Sequence, residues 1–125
     1  KQAPTKVDEQ AGLLLTNAEG QMATVMLSLH SKQPKRGMIS CEKGYIEVME
    51  YPRAWEAKIT YTDSEKTELI KAGENADALA YELADMEKAI NGDPSCMHLD
   101  YTKDVMDMMT EFRKSWGFTY PEEEK

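Results

Sequence analysis

The chain has 125 residues, which is enough for one domain with a hydrophobic core. Its 23 acidic and 15 basic residues give a formal net charge of -8, and the basic residues are not clustered, so we expect neither nucleic acid nor anionic lipid as a partner. The two cysteines, Cys41 and Cys96, lack CxxC spacing, which is typical of free thiols in a cytosolic protein. No apolar run reaches the length of a membrane span, so the composition predicts a soluble, cytoplasmic protein.

Two strands are predicted in the first quarter of the chain. Residues 7–16 include three consecutive leucines at 13–15, a run that is apolar on both faces and therefore typical of a central strand. Residues 17–20 form a turn, after which residues 21–30 alternate between two sets of side chains. The set expected to face the helices is Ala23, Val25, Leu27 and Leu29. The other set contains two methionines, and we predict that it forms an interface with a second copy of the chain: Met22, Thr24, Met26, Ser28 and His30.

Four more strands are predicted in the middle of the chain. Residues 37–40 and 45–49 form a hairpin around the turn Glu42-Lys43-Gly44. After Pro52, which cannot donate a ladder hydrogen bond, residues 55–62 alternate apolar and polar side chains, as a half-buried strand does. Residues 67–71 form the last predicted strand.

The C-terminal part predicts two amphipathic helices. The first helix ends at Gly92 and Pro94, and its apolar stripe consists of Ala76, Leu79, Ala80, Leu83, Met86 and Ile90. The second helix has Asp100 as its predicted N-cap and ends at Gly117. Its apolar stripe consists of Tyr101, Val105, Met108, Met109, Phe112 and Trp116. Each helix therefore needs a surface against which its apolar side can pack.

Strands followed by helices, with hairpin-sized connections, predict the α+β class: an open-faced, mainly antiparallel sheet with helices covering one face. We expect a single domain, with a linker over residues 1–6, the sheet over 7–71, the two helices over 74–117 and a solvated tail over 118–125. Because the chain does not begin with Met, we expect its start to be a cut or processed end.

Some residue groups carry reactive side chains, but each lacks a feature that a functional site requires. Cys96, His98 and Asp100 have zinc-ligand side chains, but three ligands in one short loop lack the paired spacing of a structural zinc site. His30 and Cys41 are a candidate base and nucleophile, but the sequence names no partner that would orient them. The sequence contains no glycine-rich phosphate-binding motif. We therefore predict no complete catalytic, cofactor or metal site in this chain.

Three methionines of the second helix lie at helical spacing: Met106, Met108 and Met109. We interpret them as core packing residues, with an adaptable methionine-rich binding groove as the alternative.

The C-terminal half combines a Tyr-Glu pair in a helix, an Asn-Gly turn, a methionine-rich second helix and a final Tyr-Pro. The residues that carry this pattern are Tyr81, Glu82, Gly92, Asp93, Val105, Met106, Arg113, Gly117, Tyr120 and Pro121. In order and spacing, the pattern resembles the C-terminal domain of the Gfo/Idh/MocA oxidoreductases, and the resemblance extends over residues 7–121. In the predicted hairpin, Ser40 and Cys41 occupy the places where that family commonly has Gly and Thr.

The resemblance implies a parent enzyme that transfers hydride between NAD or NADP and a carbinol carbon of a sugar, polyol or cyclic diol. The family's dinucleotide-binding domain, with its Glu-Lys-Pro and its Asp/His pair, would lie upstream of Lys1, so we expect this chain alone to bind no cofactor. The turn Glu42-Lys43-Gly44 is similar to Glu-Lys-Pro, but we interpret it as a hairpin turn.

The same resemblance implies that Trp55 and Asn75 lie near the substrate. For Trp55 the alternative is a core tryptophan in an alternating strand. Many family members pair through this sheet, which favours a homodimer. A functional alternative of another class is a stand-alone, non-catalytic dimerisation or binding module with the same sheet.

Overall fold

A computed structural model describes residues 1–120 and 123 of the chain. The strands are β1 (Gln10–Thr16), β2 (Met22–Ser28), β3 (Arg36–Cys41), β4 (Gly44–Met49), β5 (Glu56–Tyr61) and β6 (Thr67–Lys71). The helices are α1 (Ala78–Ile90) and α2 (Leu99–Ser115), and short 3₁₀ turns lie at Tyr51–Arg53 and Asn75–Asp77. The chain divides into two compact units. The first unit holds β1, β2 and α2, and the second, Gln33–His98, holds β3 to β6 and α1.

The predicted α+β class is confirmed, with open antiparallel sheets. The strands are distributed over two sheets: β1 pairs with β2, and β3 to β6 form a four-stranded sheet in sequence order. The prediction that residues 13–15 belong to a central strand is wrong, because β1 has β2 as its one strand partner among the described residues. The turn after Thr16 returns the chain directly into β2, and the later strands pair with one another instead.

Alternation separates the β1–β2 hairpin into two faces. Leu13 lies opposite Val25 on one face, and Leu14 lies opposite Thr24 on the other. The turn between the strands is held by the side chain of Asn17, whose Oδ1 accepts hydrogen bonds from the backbone N–H groups of Glu19 (3.1 Å) and Gln21 (2.9 Å). The register of the hairpin is therefore fixed by local chemistry at its closed end.

Helix α2 begins earlier than the sequence indicates. The predicted N-cap, Asp100, lies inside the first turn, because the helix already starts at Leu99. A carboxylate in the first turn still opposes the positive end of the helix dipole, so the residue type suits either place. The predicted end at Gly117 is confirmed: this glycine has φ +67°, and the N–H of Phe118 donates to the carbonyl of Arg113 (3.1 Å).

The four-stranded sheet of the second unit confirms the predicted hairpin. Cys41 pairs with Gly44 at the closed end of β3 and β4, so Glu42 and Lys43 form the turn. A Cβ added at Gly44 would lie only 2.2 Å from the carbonyl oxygen of Thr60 in β5. Glycine is therefore required where the hairpin turn approaches the next strand.

Helix α1 exposes the stripe that the sequence marks as its packing side. The large apolar side chains of that stripe are all exposed, namely Leu79, Leu83, Met86 and Ile90. The half-buried positions of the helix are instead Ala78, Asp85 and Ala89. The helix ends as predicted at Gly92, which has φ +99°.

Residues 1–120 and 123 contain no fully buried side chain. The chain exposes 10754 Å² to solvent, whereas two separate compact globules that share its mass would expose about 8,200 Å². Large apolar side chains on both sheets and both helices are exposed. Neither α1 nor α2 combines the length and the apolar character of a membrane-crossing helix. The exposed apolar side chains thus form surface of the kind that proteins cover with a partner.

Candidate functional site

The face of the hairpin that the sequence predicts as an interface is apolar and exposed. Met22 and Met26 of β2 are 67% and 68% exposed, and Leu14 on the same face of β1 is 63% exposed. Met26 lies opposite Gly12, and its Sδ would be 3.3 Å from a Cβ added at that glycine, so the methionine lies across the hairpin. We call Leu14, Met22, Thr24 and Met26 the hairpin face.

Two of the three polar residues of the predicted interface, Ser28 and His30, have partners inside the chain. Ser28 Oγ accepts hydrogen bonds from Gln10 Nε2 (3.2 Å) and from the backbone N–H groups of His30 (3.1 Å) and Ser31 (3.0 Å). His30 Nε2 lies 3.0 Å from Glu9 Oε1. Both residues therefore secure the open end of the hairpin, where β1 begins and β2 ends.

The electrostatics of that open end centre on Glu9. Its carboxylate is 14% exposed, and Lys1 Nζ lies 2.9 Å from its second oxygen. Hydrogen bonds from His30 and from Lys1 hold the pKa of Glu9 below its ordinary value of 4.5, and partial desolvation opposes them. The carboxylate is therefore held in its charged form.

Trp55, which the sequence places near a substrate or in the core, is a surface residue of the second unit. Its side chain is 43% exposed, which contradicts the core interpretation. Lys71 Nζ lies 4.7 Å from the centre of the indole ring, a cation–π distance, and 3.9 Å from Glu56 Oε2. We call Trp55, Glu56 and Lys71 the Trp55 cluster.

The segment that carries Asn75 is attached to this region by the backbone. The N–H of Ala72 donates to the carbonyl of Trp55 (2.9 Å), and Asn75 opens the 3₁₀ turn three residues later. The N–H of Glu74 donates to the hydroxyl of Tyr81 (3.0 Å), which fixes the segment against α1. Gly73 has φ +70° and lies against the Tyr81 ring, so a side chain there would be both strained and crowded.

Sequence reasoning missed three residues of these surfaces: Glu9, Glu56 and Lys71. The signal for the last two is present in the strand pattern, because antiparallel pairing of β5 with β6 places Glu56 opposite Lys71. For Glu9 no comparable signal exists, since it lies outside the strands and meets His30 only through the closure of the hairpin.

Among residues 1–120 and 123, no three His, Cys, Asp or Glu side chains are grouped as metal ligands. Cys41 and Cys96 are free thiols, and the Cys96 Sγ lies 3.8 Å from the carbonyl oxygen of Asp85. Met106, Met108 and Met109 are all exposed, so the core-packing interpretation is wrong for them within this chain.

No family model, curated protein or solved structure matches this chain. Two surfaces therefore carry the functional argument. The hairpin face offers apolar area without charge. The Trp55 cluster offers an exposed aromatic ring beside an ammonium and a carboxylate.

Proposed function

We propose that this chain is the C-terminal domain of an NAD(P)-dependent oxidoreductase that acts on CH–OH groups of a sugar, polyol or cyclic diol. It forms one wall of the substrate cleft and the interface of a cytoplasmic homodimer. A dinucleotide-binding domain that precedes Lys1 supplies the cofactor site. The proposal takes its enzyme class from the Gfo/Idh/MocA resemblance, and within that family the pattern is most similar to dimeric dihydrodiol dehydrogenase.

The observation that carries the proposal is the exposed hairpin face. Leu14, Met22 and Met26 are each more than half exposed on one side of a two-stranded sheet. An isolated hairpin of this size is marginally stable, and an apolar side left in water favours association. A domain that pairs with a second copy through its sheet covers this face.

The residues of the resemblance have architectural roles, which supports a shared fold. Gly92 and Gly117 each end a helix with a left-handed backbone conformation. Tyr81 fixes the segment before α1, and Arg113 Nη1 donates to the carbonyl of Phe118 (3.2 Å). Such roles depend on residue type at fixed positions, as a shared fold would require.

The Trp55 cluster suits a hydroxylated substrate. A carboxylate such as Glu56 accepts hydrogen bonds from hydroxyl groups, and an ammonium such as Lys71 donates to them. The indole of Trp55 offers an apolar surface for the carbon side of a sugar or diol ring. This combination supports the assignment of one cleft wall to the second unit.

A stand-alone dimerisation or binding module is the second candidate. The hairpin face favours it as well, because covering an apolar face requires no catalytic group. The two candidates differ in what precedes Lys1.

The deciding experiment uses the protein with its natural upstream sequence. We expect that sequence to encode a strand, a glycine-rich turn, Glu-Lys-Pro and an Asp/His helix, and the protein to reduce NAD or NADP in the presence of polyols or cyclic diols. The 125-residue chain alone should show no heat of binding with either cofactor, because it lacks the helix terminus that binds the pyrophosphate. Micromolar binding by the chain alone would refute the domain assignment, and an upstream sequence without these features would favour the module.

The substrate wall is tested by Trp55→Phe in the same protein. The smaller ring loses part of the stacking area, so we expect the ratio of kcat/KM values between a cyclic diol and a linear polyol to change by roughly threefold to tenfold. Tyr101→Phe, a change at an exposed ring of the first unit, is the control. An unchanged ratio in Trp55→Phe would remove Trp55 from the substrate wall.

A further inference from the structure

The first unit contains a cavity of about 610 Å³ between the β1–β2 hairpin and α2. Sites for small molecules typically have volumes of roughly 300–1,000 Å³ and mainly apolar walls. The apolar wall of this cavity consists of Leu13, Leu27, Met106, Met109, Phe112 and Trp116. Neither the hairpin face nor the Trp55 cluster contributes a residue, so the cavity is separate from both surfaces described above.

The hairpin contributes to this cavity with the side opposite its exposed face. Leu13 is paired with Val25, and Leu27 is paired with Ala11, which places both leucines on the side away from Leu14. The sequence predicts that this side meets the helices. In the structure it meets α2 across an open volume.

The helix side of the cavity is aromatic and flat. The rings of Phe112 and Trp116, one helical turn apart, are nearly parallel, with an interplanar angle of 19° and 6.2 Å between their centres. Phe118 and Tyr120 pack edge to face at 4.9 Å and also line the cavity. Parallel rings beside polarisable methionine side chains favour a planar ring system as ligand.

The charged groups that line the cavity do not favour a charged ligand. Arg113 is 17% exposed, and its two terminal nitrogens bind the carboxylate of Glu123. Lys1 has its own carboxylate partner. The remaining charged lining residues, Lys6 and Asp8, have opposite signs. The lining therefore has no marked excess of either charge that would favour an ionic ligand.

We propose that this cavity binds an uncharged, planar aromatic compound. The compound lies against the rings of Phe112 and Trp116 and is covered by Leu13 and Leu27 from the hairpin. This inference does not depend on the proposed oxidoreductase function, because the cavity lies in the unit that holds neither Trp55 nor Asn75.

The test uses N-phenyl-1-naphthylamine, a neutral aromatic probe whose fluorescence rises in apolar surroundings. We expect saturable binding of one probe per chain, and weaker binding of the anionic 8-anilinonaphthalene-1-sulfonate. Leu27→Trp fills the cavity and should weaken the binding of the neutral probe by at least about tenfold. Leu99→Trp makes the same change at an exposed leucine of the first unit that lines neither the cavity nor the hairpin face, and it should leave the affinity unchanged.

Amide chemical shifts of the wild-type protein provide a test that needs no variant. On addition of the neutral probe, the shifts should move at residues 11–13 and 106–116. Shifts confined to residues 33–98, binding without saturation, or equal weakening in both tryptophan variants would overturn the proposal. A probe affinity that falls as protein concentration rises would assign the cavity to a second copy and would also overturn it.

Discussion

The two sheets of this molecule use similar residues but bury them to different extents. In the four-stranded sheet, β4 is half-buried from Gly44 to Val48, and β5 is half-buried at every position except Lys58. In the two-stranded hairpin, β2 has only two half-buried residues, Val25 and Ser28. The difference teaches that position in a sheet, more than apolar composition, decides burial.

The edge strands of the larger sheet support this conclusion. β6 contains Leu69 and Ile70, yet all five of its residues are exposed. A central strand has a neighbour on each side, whereas both strands of a two-stranded sheet are edges. The hairpin is therefore the region that depends most on a partner, and the four-stranded sheet is the region that depends most on its own contacts.

The largest effect should come from Gly44, where the β3–β4 turn approaches β5 in the four-stranded sheet. Gly44→Ala would place a methyl group 2.2 Å from the Thr60 carbonyl oxygen, so β4 and β5 would have to move apart. We expect a loss of about 2–4 kcal/mol in the free energy of unfolding, because a backbone atom cannot give way as a side chain does. Urea unfolding followed by circular dichroism measures this loss.

Gly37→Ala is the matched control within the same hairpin. A Cβ at Gly37 meets its nearest atom at 4.0 Å, and its backbone is not left-handed. We expect a neutral effect or a gain of up to about 1 kcal/mol, since alanine restricts the unfolded chain more than glycine does. Equal losses in the two variants would mean that the close approach at Gly44 is not what makes the Gly44→Ala variant less stable.

The next effect concerns association through the hairpin. Met26→Glu places a carboxylate on the hairpin face, and a dimer would have to bury that charge without a partner. We expect the variant to sediment as a monomer at concentrations where the wild type is dimeric, with helical circular dichroism retained. Met38→Glu, on the exposed edge strand β3, should leave the dimer intact. If the wild type were monomeric, or if Met26→Glu remained dimeric, the claim that the hairpin depends on a partner more than the four-stranded sheet does would be wrong.

The sequence predicted the parts of this fold that local chemistry decides. The turn at Glu42 and Lys43 and the helix ends at Gly92 and Gly117 follow from residue type and spacing. The sequence misplaced what depends on neighbours. Residues 13–15 have a buried-strand pattern but lie in a hairpin, and the stripe of α1 with Leu83 is exposed. An apolar pattern shows that a side chain needs cover, but it does not show whether the cover comes from the same chain.

The candidate surfaces also include residues that the sequence pattern could place and residues that it could not. Alternation in β2 was sufficient to place Met22 and Met26 on one exposed face. The Trp55 cluster needed the register of β5 with β6, because Glu56 and Lys71 are far apart in sequence. The cavity of the first unit required the placement of α2, about which the pattern of the hairpin contains no information.

The smallest effect should appear at the open end of the hairpin, where Glu9 connects the residues before β1 to those after β2. The carbonyl of Glu9 accepts the N–H of Leu29 (2.9 Å), and its carboxylate pairs with His30. Since the pKa of Glu9 is lowered in the folded chain, its stabilising contribution is present above the ordinary value of 4.5 and is lost as the pH falls through the folded pKa. We therefore expect the hydrogen-bonded carboxylate of Glu9 to stabilise the hairpin, which lacks the extra strands of the larger sheet.

Glu9→Gln should therefore be less stable than the wild type near neutral pH, and the difference should shrink as the pH falls below 4.5. The stability of His30→Gln should also fall less than that of the wild type between neutral and acid pH. The reason is that the hydrogen bond from His30 is the largest cause of the lowered pKa of Glu9. Thermal unfolding midpoints of the three proteins from neutral to acid pH measure the effect. If the curves of Glu9→Gln and the wild type ran parallel throughout, the pair would contribute nothing to the hairpin, and its stability would have to come from the partner alone.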